Sequence, residues 1–411
     1  MTTLVSINRA RLLDRIDRLA AVNRLEDSSC CRLALTDADR DGRDLVVGWM
    51  KEAGLQVHLD QIGNIIGVRS GPAGAAPVMT GSHIDTVATG GRFDGAYGVI
   101  AGIEALQTLH ESRVTTQRGL AVAVFTNEEG VRFQPDMMGS LVYAGGLSLN
   151  DALASTADDG ATLGQELERI GYSGTLACGA IRPHAYVELH IEQGPVLDRE
   201  GGTLGAVQDL QGISWQEVTI RGVSNHAGTT PMRLRHDAGY CAARVAVFVR
   251  DLAQRFGGSQ VATVGMIQLR PNLVNVIARE ARLTVDLRNT DDELLAQAEA
   301  QLSTFLQDLT SSEGVTIGTR RLARTPAVRF DARLVQIIED VATKMGHAGI
   351  RRMTSGAGHD AQMMARICPA AMIFVPSVRG ISHNPAEHTE PDDLELGANV
   401  LMRVIERVAN E

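Results

Sequence analysis

The sequence predicts an α/β protein: a mixed-sheet domain with helices on both faces, interrupted by a smaller α+β insert of split-βαβ type. Three observations predict it. Continuous apolar runs such as Leu120–Phe125 and Ala185–Leu189 alternate with helical periods, as strands buried on both faces require. Near Gly212 the pattern changes to alternating strands around two long helices, and after Thr325-Pro326 the first style returns. The length, 411 residues, suits two to three domains at about 150 residues each. The expected division is a domain made of 1–210 and 328–411, with an insert at 211–327.

Taken in order, Ser6–Asn23 has the helical period of Ile7, Leu12, Ile16 and Leu19, with Ser6 placed to cap it. Asp41–Ala53 is a second helix, closed by Gly54. Asn64–Val68 and Pro77–Thr80 read as strands and Gly95–Leu109 as a helix, before the two apolar strands already named. In the insert, Ile213–Arg221, Val261–Leu269, Val274–Ala278, Ala281–Leu287 and Val315–Arg321 are expected strands. Its helices are His236–Phe256 and Asp291–Thr310. Helix Ala332–Met345, strand Ala371–Val375 and helix Asp393–Val408 complete the chain.

Composition narrows the function. A net charge of −10 argues against non-specific nucleic-acid binding and against a basic membrane-docking face. No apolar run approaches a membrane span, and the opening residues lack a signal-peptide pattern. Cys30, Cys31, Cys178, Cys241 and Cys368 form no C-x-x-C pair and read as reduced thiols. The expectation is a soluble cytoplasmic protein.

The chemistry collects at strand ends. Apolar runs lead into Ser82-His83-Ile84-Asp85, Thr126-Asn127-Glu128-Glu129, His190-Ile191-Glu192-Gln193 and Ser382-His383-Asn384-Pro385. In an open α/β sheet, ligands bind beyond the carboxyl ends of strands, so these segments point to one crevice, which Asp94 can join. Three imidazoles with two or three carboxylates and no cysteine suit Zn²⁺, Mn²⁺, Co²⁺ or Ni²⁺. The surplus of ligands suggests two ions with a shared carboxylate, and Glu128 and Glu129 can divide the work between ligand and general base. Gly356-Ala357-Gly358-His359-Asp360-Ala361 fits a G-x-G-x-x-A pattern. Its upstream Arg351–Thr354 makes a poor buried strand and no acidic residue follows at the proper distance, so a glycine-rich substrate loop is the better reading than a dinucleotide site.

Gly81-Ser82-His83-Ile84-Asp85-Thr86 and Gly91-Arg92-Phe93-Asp94-Gly95 resemble the dinuclear metallopeptidase superfamily of aminoacylases and carboxypeptidase-type enzymes. Thr126–Phe133, His190–Pro195, Asn225–Met232, Ser355–Asp360 and Ser382–Pro385 look like its amidohydrolase branch: N-carbamoyl-L-amino acid hydrolases, β-ureidopropionases and allantoate amidohydrolases. The resemblance implies that His83, Asp94 and His190 hold one metal, and Asp94, Glu129 and His383 the other. It makes Glu128 the general base and Asp85 the group that orients His83. Gln193 and the Gly356–Gly358 loop would line the pocket.

It also makes the insert a lid and dimerisation module bringing His226, Asn275 and Arg288 to the substrate. Arg288 ends a strand, where a guanidinium can grip a carboxylate in bidentate fashion; His226 can donate to an oxyanion. Asn275 interrupts an apolar run and reads as a buried amide with a task. The implied reaction is hydrolysis of a carbamoyl (ureido) C–N bond on an N-carbamoyl-L-amino acid by a homodimeric enzyme. Allantoate and N-carbamoyl-β-alanine are the near alternatives, and a non-catalytic binding protein of the same fold is the remote one.

Overall fold

The computed structural model describes residues 5–72, 74–347 and 349–411; Met1–Leu4, part of the opening segment that lacks a signal-peptide pattern, lie outside them. The strands in chain order are β1 (Gln56–Leu59), β2 (Ile65–Arg69), β3 (Val78–His83), β4 (Leu120–Phe125), β5 (Ala185–Ile191), β6 (Gly205–Leu210) and β7 (Gly212–Arg221). They continue with β8 (Val261–Arg270), β9 (Glu280–Asn289), β10 (Thr316–Thr325), β11 (Val328–Arg329), β12 (Arg351–Ser355) and β13 (Ala370–Val375). The chain forms two compact units. One is built from its two ends, up to Gln208 and from Phe330 onward; the other is Asp209–Arg329, against the expected 211–327.

The larger sheet, which lies almost wholly in the first unit, runs β1-β2-β4-β3-β5-β13-β6-β11, with β12 alongside β6. Its centre, β4-β3-β5-β13, is parallel, while β1, β2 and β6 pair antiparallel. All four central strands are buried along their length, which explains their unbroken apolar sequences. Neighbouring residues of β5 show that both faces are covered. Glu188 accepts a hydrogen bond from the Ala361 amide in helix Asp360–Met364. Leu189 packs on the other side against Gly397 of helix Pro391–Ala409.

The second unit is an antiparallel sheet ordered β10-β7-β9-β8. Helices Ala238–Phe256 and Asp292–Glu313 bury Val245, Leu252 and Leu302 against Val218, Ile220, Leu283, Val285 and Leu287. The succession strand, helix, two strands, helix, strand is the split βαβ arrangement.

Several boundaries differ from the sequence reading. The first helix is Arg9–Ala20, because the Asn8 side chain, not Ser6, accepts the free Arg11 amide at 3.1 Å. The second begins at Asp37, capped by Thr36, a turn earlier than expected. Val274–Ala278 is not a strand. Leu273 and Val274 are exposed, and the segment is held to Asn225–Ala227 only by an isolated bridge and two flanking backbone hydrogen bonds. Arg351–Ser355 does form a strand, on the sheet's margin with both arginines exposed, so it lacks an apolar signature. The short elements β1, β6 and β11 and the brief helices between Met138 and Glu200 carry too few periodic residues to be read. Among the described residues no helix is long and apolar enough to cross a membrane, and all five cysteines are free.

Candidate metal centre

The parallel centre of the sheet delivers the polar residues. His83 is the last residue of β3, His190 lies one residue before the end of β5, Glu128 and Glu129 follow β4, and His383 follows β13. The ladders run farther than the apolar runs, so the two strand histidines sit within strands whose register fixes them. Asp94 comes from the turn before helix Ala96–Glu111. Asn127, Gln193 and His383 all have left-handed backbone, with φ of 57°, 55° and 54°. Such non-glycine turns concentrate where the surrounding structure dictates a side chain's aim.

Two groups form around Asp94. Its Oδ1 lies 3.8 Å from His83 Nε2 and 3.2 Å from His190 Nε2. Its Oδ2 lies 3.1 Å from His383 Nε2, which is 3.5 Å from Glu129 Oε2. In each group, His83–Asp94–His190 and Asp94–Glu129–His383, the ligand atoms fall within 4.8 Å of one another. Glu188, His190 and His359 form a third such group. His190 Nδ1 is engaged with the Ile191 carbonyl at 2.9 Å, so its Nε2 would serve either group but not both. The third group is therefore an alternative to the first, not an addition.

The residues fit divalent ions on three grounds. His83 Nδ1 is 2.9 Å from the Asp85 carbonyl, and His190 Nδ1 equally close to that of Ile191. With both Nδ1 atoms donating, each Nε2 beside Asp94 is the nitrogen left to ligate, once His190 gives up the proton it shares with Asp94 in the metal-free site. The pocket itself is lined by His83, Asp94, Glu128, Glu129, Asp136 and His383, with Gln193 and Ala357–His359 completing it; none of these linings is Lys or Arg. Without metal, burial disfavours ionisation of the two glutamates. Burial, then Asp360 and Glu129, raises Glu128 well above the carboxylate range; burial, then Asp94, pushes Glu129 up to about 10. Burial opposes ionisation of Asp94 too, but hydrogen bonds from His190 and His383 hold it well below its ordinary value. Burial pushes His83 down to about 4, keeping it neutral and able to ligate.

Asp85 departs from expectation. Its backbone carbonyl, not its carboxylate, orients His83; the carboxylate oxygens accept the amides of Glu128 and Glu129, each at 3.2 Å. Asp85 thus aims the glutamate pair. Gln193 does reach the centre, donating to Asp94 Oδ2 at 2.8 Å and to Ser382 Oγ at 3.3 Å. Ala357 and Gly358 line the pocket, with Gly356 preceding them in the same turn.

The insert's three residues are in the second unit. His226 and Asn275 are exposed neighbours, joined by the hydrogen bond from the Ala227 amide to the Asn275 carbonyl. Asn275 is therefore not the buried amide expected, because its segment is no core strand. Arg288 stands near the far end of β9, its Nε and Nη2 on the Asp286 carboxylate at 2.9–3.1 Å.

Sequence reasoning gave no role to three participants. His359 lines the pocket and stacks edge-on against His190, with centroids 4.5 Å apart. Asp360 is buried against Ser140, and Glu387 beneath Asp94. His359 and Asp360 stood within a recognised motif; Glu387 had no signal at all.

Gly95 shows how tightly the centre is packed. Its φ is 61°, and a Cβ would meet the His83 ring at 2.4 Å. Gly95→Ala is expected to tilt His83 and weaken metal retention by about tenfold or more, as loss of supporting contacts commonly does. Metal content after dialysis measures it; retention equal to wild type would show that the ring has room.

The profile of Peptidase family M20/M25/M40 matches residues 79–407. N-carbamoyl-L-amino-acid amidohydrolase of Rhizobium meliloti is 38% identical over 400 residues, 97% of this chain and 96% of that one. Allantoate amidohydrolase of Bacillus subtilis (strain 168) is 34% identical over 97% of each chain. A crystal structure of an amidase of the hydantoinase/carbamoylase family from Burkholderia multivorans superposes with a TM-score of 0.97 at 43% identity, covering 99% of both chains. Since the profile's match contains every ligand of both groups around Asp94, the chain belongs to peptidase family M20/M25/M40.

Proposed function

We propose that this hydrolase of C–N bonds cleaves the carbamoyl bond of N-carbamoyl-L-amino acids, giving the L-amino acid, ammonia and CO₂. The observation that carries the reading is the buried Glu128 carboxyl, 3.3 Å from His83 Nε2, on the wall of a pocket containing two ligand groups that share Asp94. His83, Asp94 and His190 would hold one ion and Asp94, Glu129 and His383 the other, drawn from Zn, Mn, Co or Ni. When bound, the pair would supply an acidified water and a positive field for the charge that develops on the carbonyl oxygen. Glu128 takes the proton of the attacking water and returns it to the departing amine nitrogen. Asp85 holds Glu128 at the required height through its amide. Gln193 and the Gly356–Gly358 turn flank the substrate.

Arg288 receives the substrate carboxylate, and His226 and Asn275 contact the ureido group. Within the insert His226 and Asn275 lie beyond the Glu280 end of β9 and Arg288 near its other end, and the eight steps from Glu280 to Arg288 alone span roughly 27 Å. One small substrate touches both ends only if two copies of the chain contribute, which supports a homodimer with the insert as its lid and pairing module. The acidic composition and free thiols support a cytoplasmic site of action.

The second reading, allantoate hydrolysis, is favoured by the Bacillus relative's name. The test is a metal-loaded assay with N-carbamoyl-L-amino acids, allantoate and N-carbamoyl-β-alanine. The highest kcat/KM is expected for the first class, and a clear preference for allantoate would replace it. Arg288→Ala should cost about 2–4 kcal/mol in kcat/KM for carboxylate-bearing substrates, with partial recovery in Arg288→Lys. A carbamoylated amine without a carboxylate should be a poor substrate for both. Equal loss on both substrates would assign Arg288 to the fold.

A further inference from the structure

We propose that Glu387 is a positioning residue that locks Asp94 and the His383 loop together, acting through its shape as a hydrogen-bonding group and not through its charge. Its side chain is buried, and its partners are neutral. Oε1 accepts the amides of Phe93 at 2.9 Å and Asp94 at 3.3 Å. Oε2 accepts the Ser382 hydroxyl at 3.0 Å, and that hydroxyl lies 3.3 Å from Asp94 Oδ2. One carboxyl thus grips the backbone of Asp94 directly and its side chain through Ser382, the residue before His383.

The opposite loop is shaped to admit it. A Cβ at Gly91 would lie 2.1 Å from Glu387 Oε1 and 2.4 Å from its Cβ, so the smallest side chain there would displace the whole of Glu387. The ligand loops come from distant parts of the chain, and no ladder pairs them. Beside Gln193, which donates to both Asp94 Oδ2 and Ser382 Oγ, Glu387 supplies the link that also holds the Asp94 backbone and so fixes the separation of Asp94 Oδ2 from His383 Nε2. This inference rests on the reading of Asp94 as the ligand shared by two ions.

Metal-stripped protein titrated with Co²⁺, followed by visible absorption, tests it, together with melting of the metal-free protein. Wild type should take up two ions. E387A, and G91A with Glu387 intact but displaced, should weaken by about tenfold or more the same uptake step that H383A abolishes. E387Q should stay close to wild type, because its amide oxygen still accepts from Phe93 and Asp94 and its nitrogen reaches Ser382. The proposal is overturned if E387A binds as wild type does. It also fails if E387Q is as weak as E387A, which would make the charge decisive. Equal weakening of both steps with a lowered metal-free Tm would assign Glu387 to the fold and overturn it too. Wild type taking up one ion would sink the shared-ligand reading, while the contrast between E387A and E387Q at that ion would still judge Glu387.

Discussion

Glu128→Gln is expected to keep both metal ions and lose turnover by about 10²–10⁴-fold, the range ascribed to a positioned general base. The amide has the carboxyl's shape but cannot accept the water's proton. Glu128 belongs to neither ligand group around Asp94, while its neighbour Glu129 belongs to one. Glu129→Gln should therefore show the reverse phenotype, weaker metal binding first and activity restored in part by excess metal. Elemental analysis beside steady-state kinetics separates the two. If both variants lose metal equally, or Glu128→Gln stays active, the division of labour between the glutamates is wrong. The geometry argues for that division, since the Glu128 carboxyl lies 3.3 Å from His83 Nε2 while that of Glu129 lies 3.5 Å from His383 Nε2.

The second large effect is expected at Asp94. Asp94→Ala should abolish both occupancies, whereas His83→Ala should lose one and leave the other measurable. One oxygen of Asp94 faces His83 and His190 and the other faces His383, so a single substitution opens both groups. Metal content in the purified variants decides it. An Asp94→Ala protein that retains one full equivalent would mean the carboxylate does not serve both sides. The resulting protein should still fold, because Asp94 lies in a turn and the sheet beneath is held by its own apolar strands.

The candidate ligands His83, Glu129, His190 and His383 were legible because each stands at or beyond the end of an apolar strand, and a parallel sheet gathers such ends on one edge; Asp94 joins them from the turn before a helix. His83, His190 and His383 needed no knowledge of side-chain contacts to be grouped. Asp85 was placed in the right neighbourhood with the wrong atoms, since a sequence does not show whether a carbonyl or a carboxylate turns toward a ring. Asn275 was misjudged for a related reason: an apolar run predicts burial only if something covers it, and Val274 is fully exposed. Glu387 was invisible. After Pro385-Ala386 a glutamate reads as a solvated loop residue, and only its fit against Gly91, near the other end of the chain, removes it from water.

The position of β13 has a consequence for the order of events during synthesis. It lies between β5 and β6 in the large sheet, yet among the described residues it comes last of the strands in chain order, so it is made after all of them. Until residues 370–375 emerge, β5 and β6 expose unpaired edges, and the four-strand centre cannot close. The insert, by contrast, is one uninterrupted stretch with its own buried cluster. It can complete its sheet while the surrounding unit waits for its C-terminal third. His383 follows β13 by only a few residues, so the second ligand group comes into existence at nearly the same moment as the finished sheet. Neither candidate group can therefore be fully aligned before β13 is made, and a chain truncated shortly before β13 retains His83, Asp94 and His190 without the scaffold that aligns them.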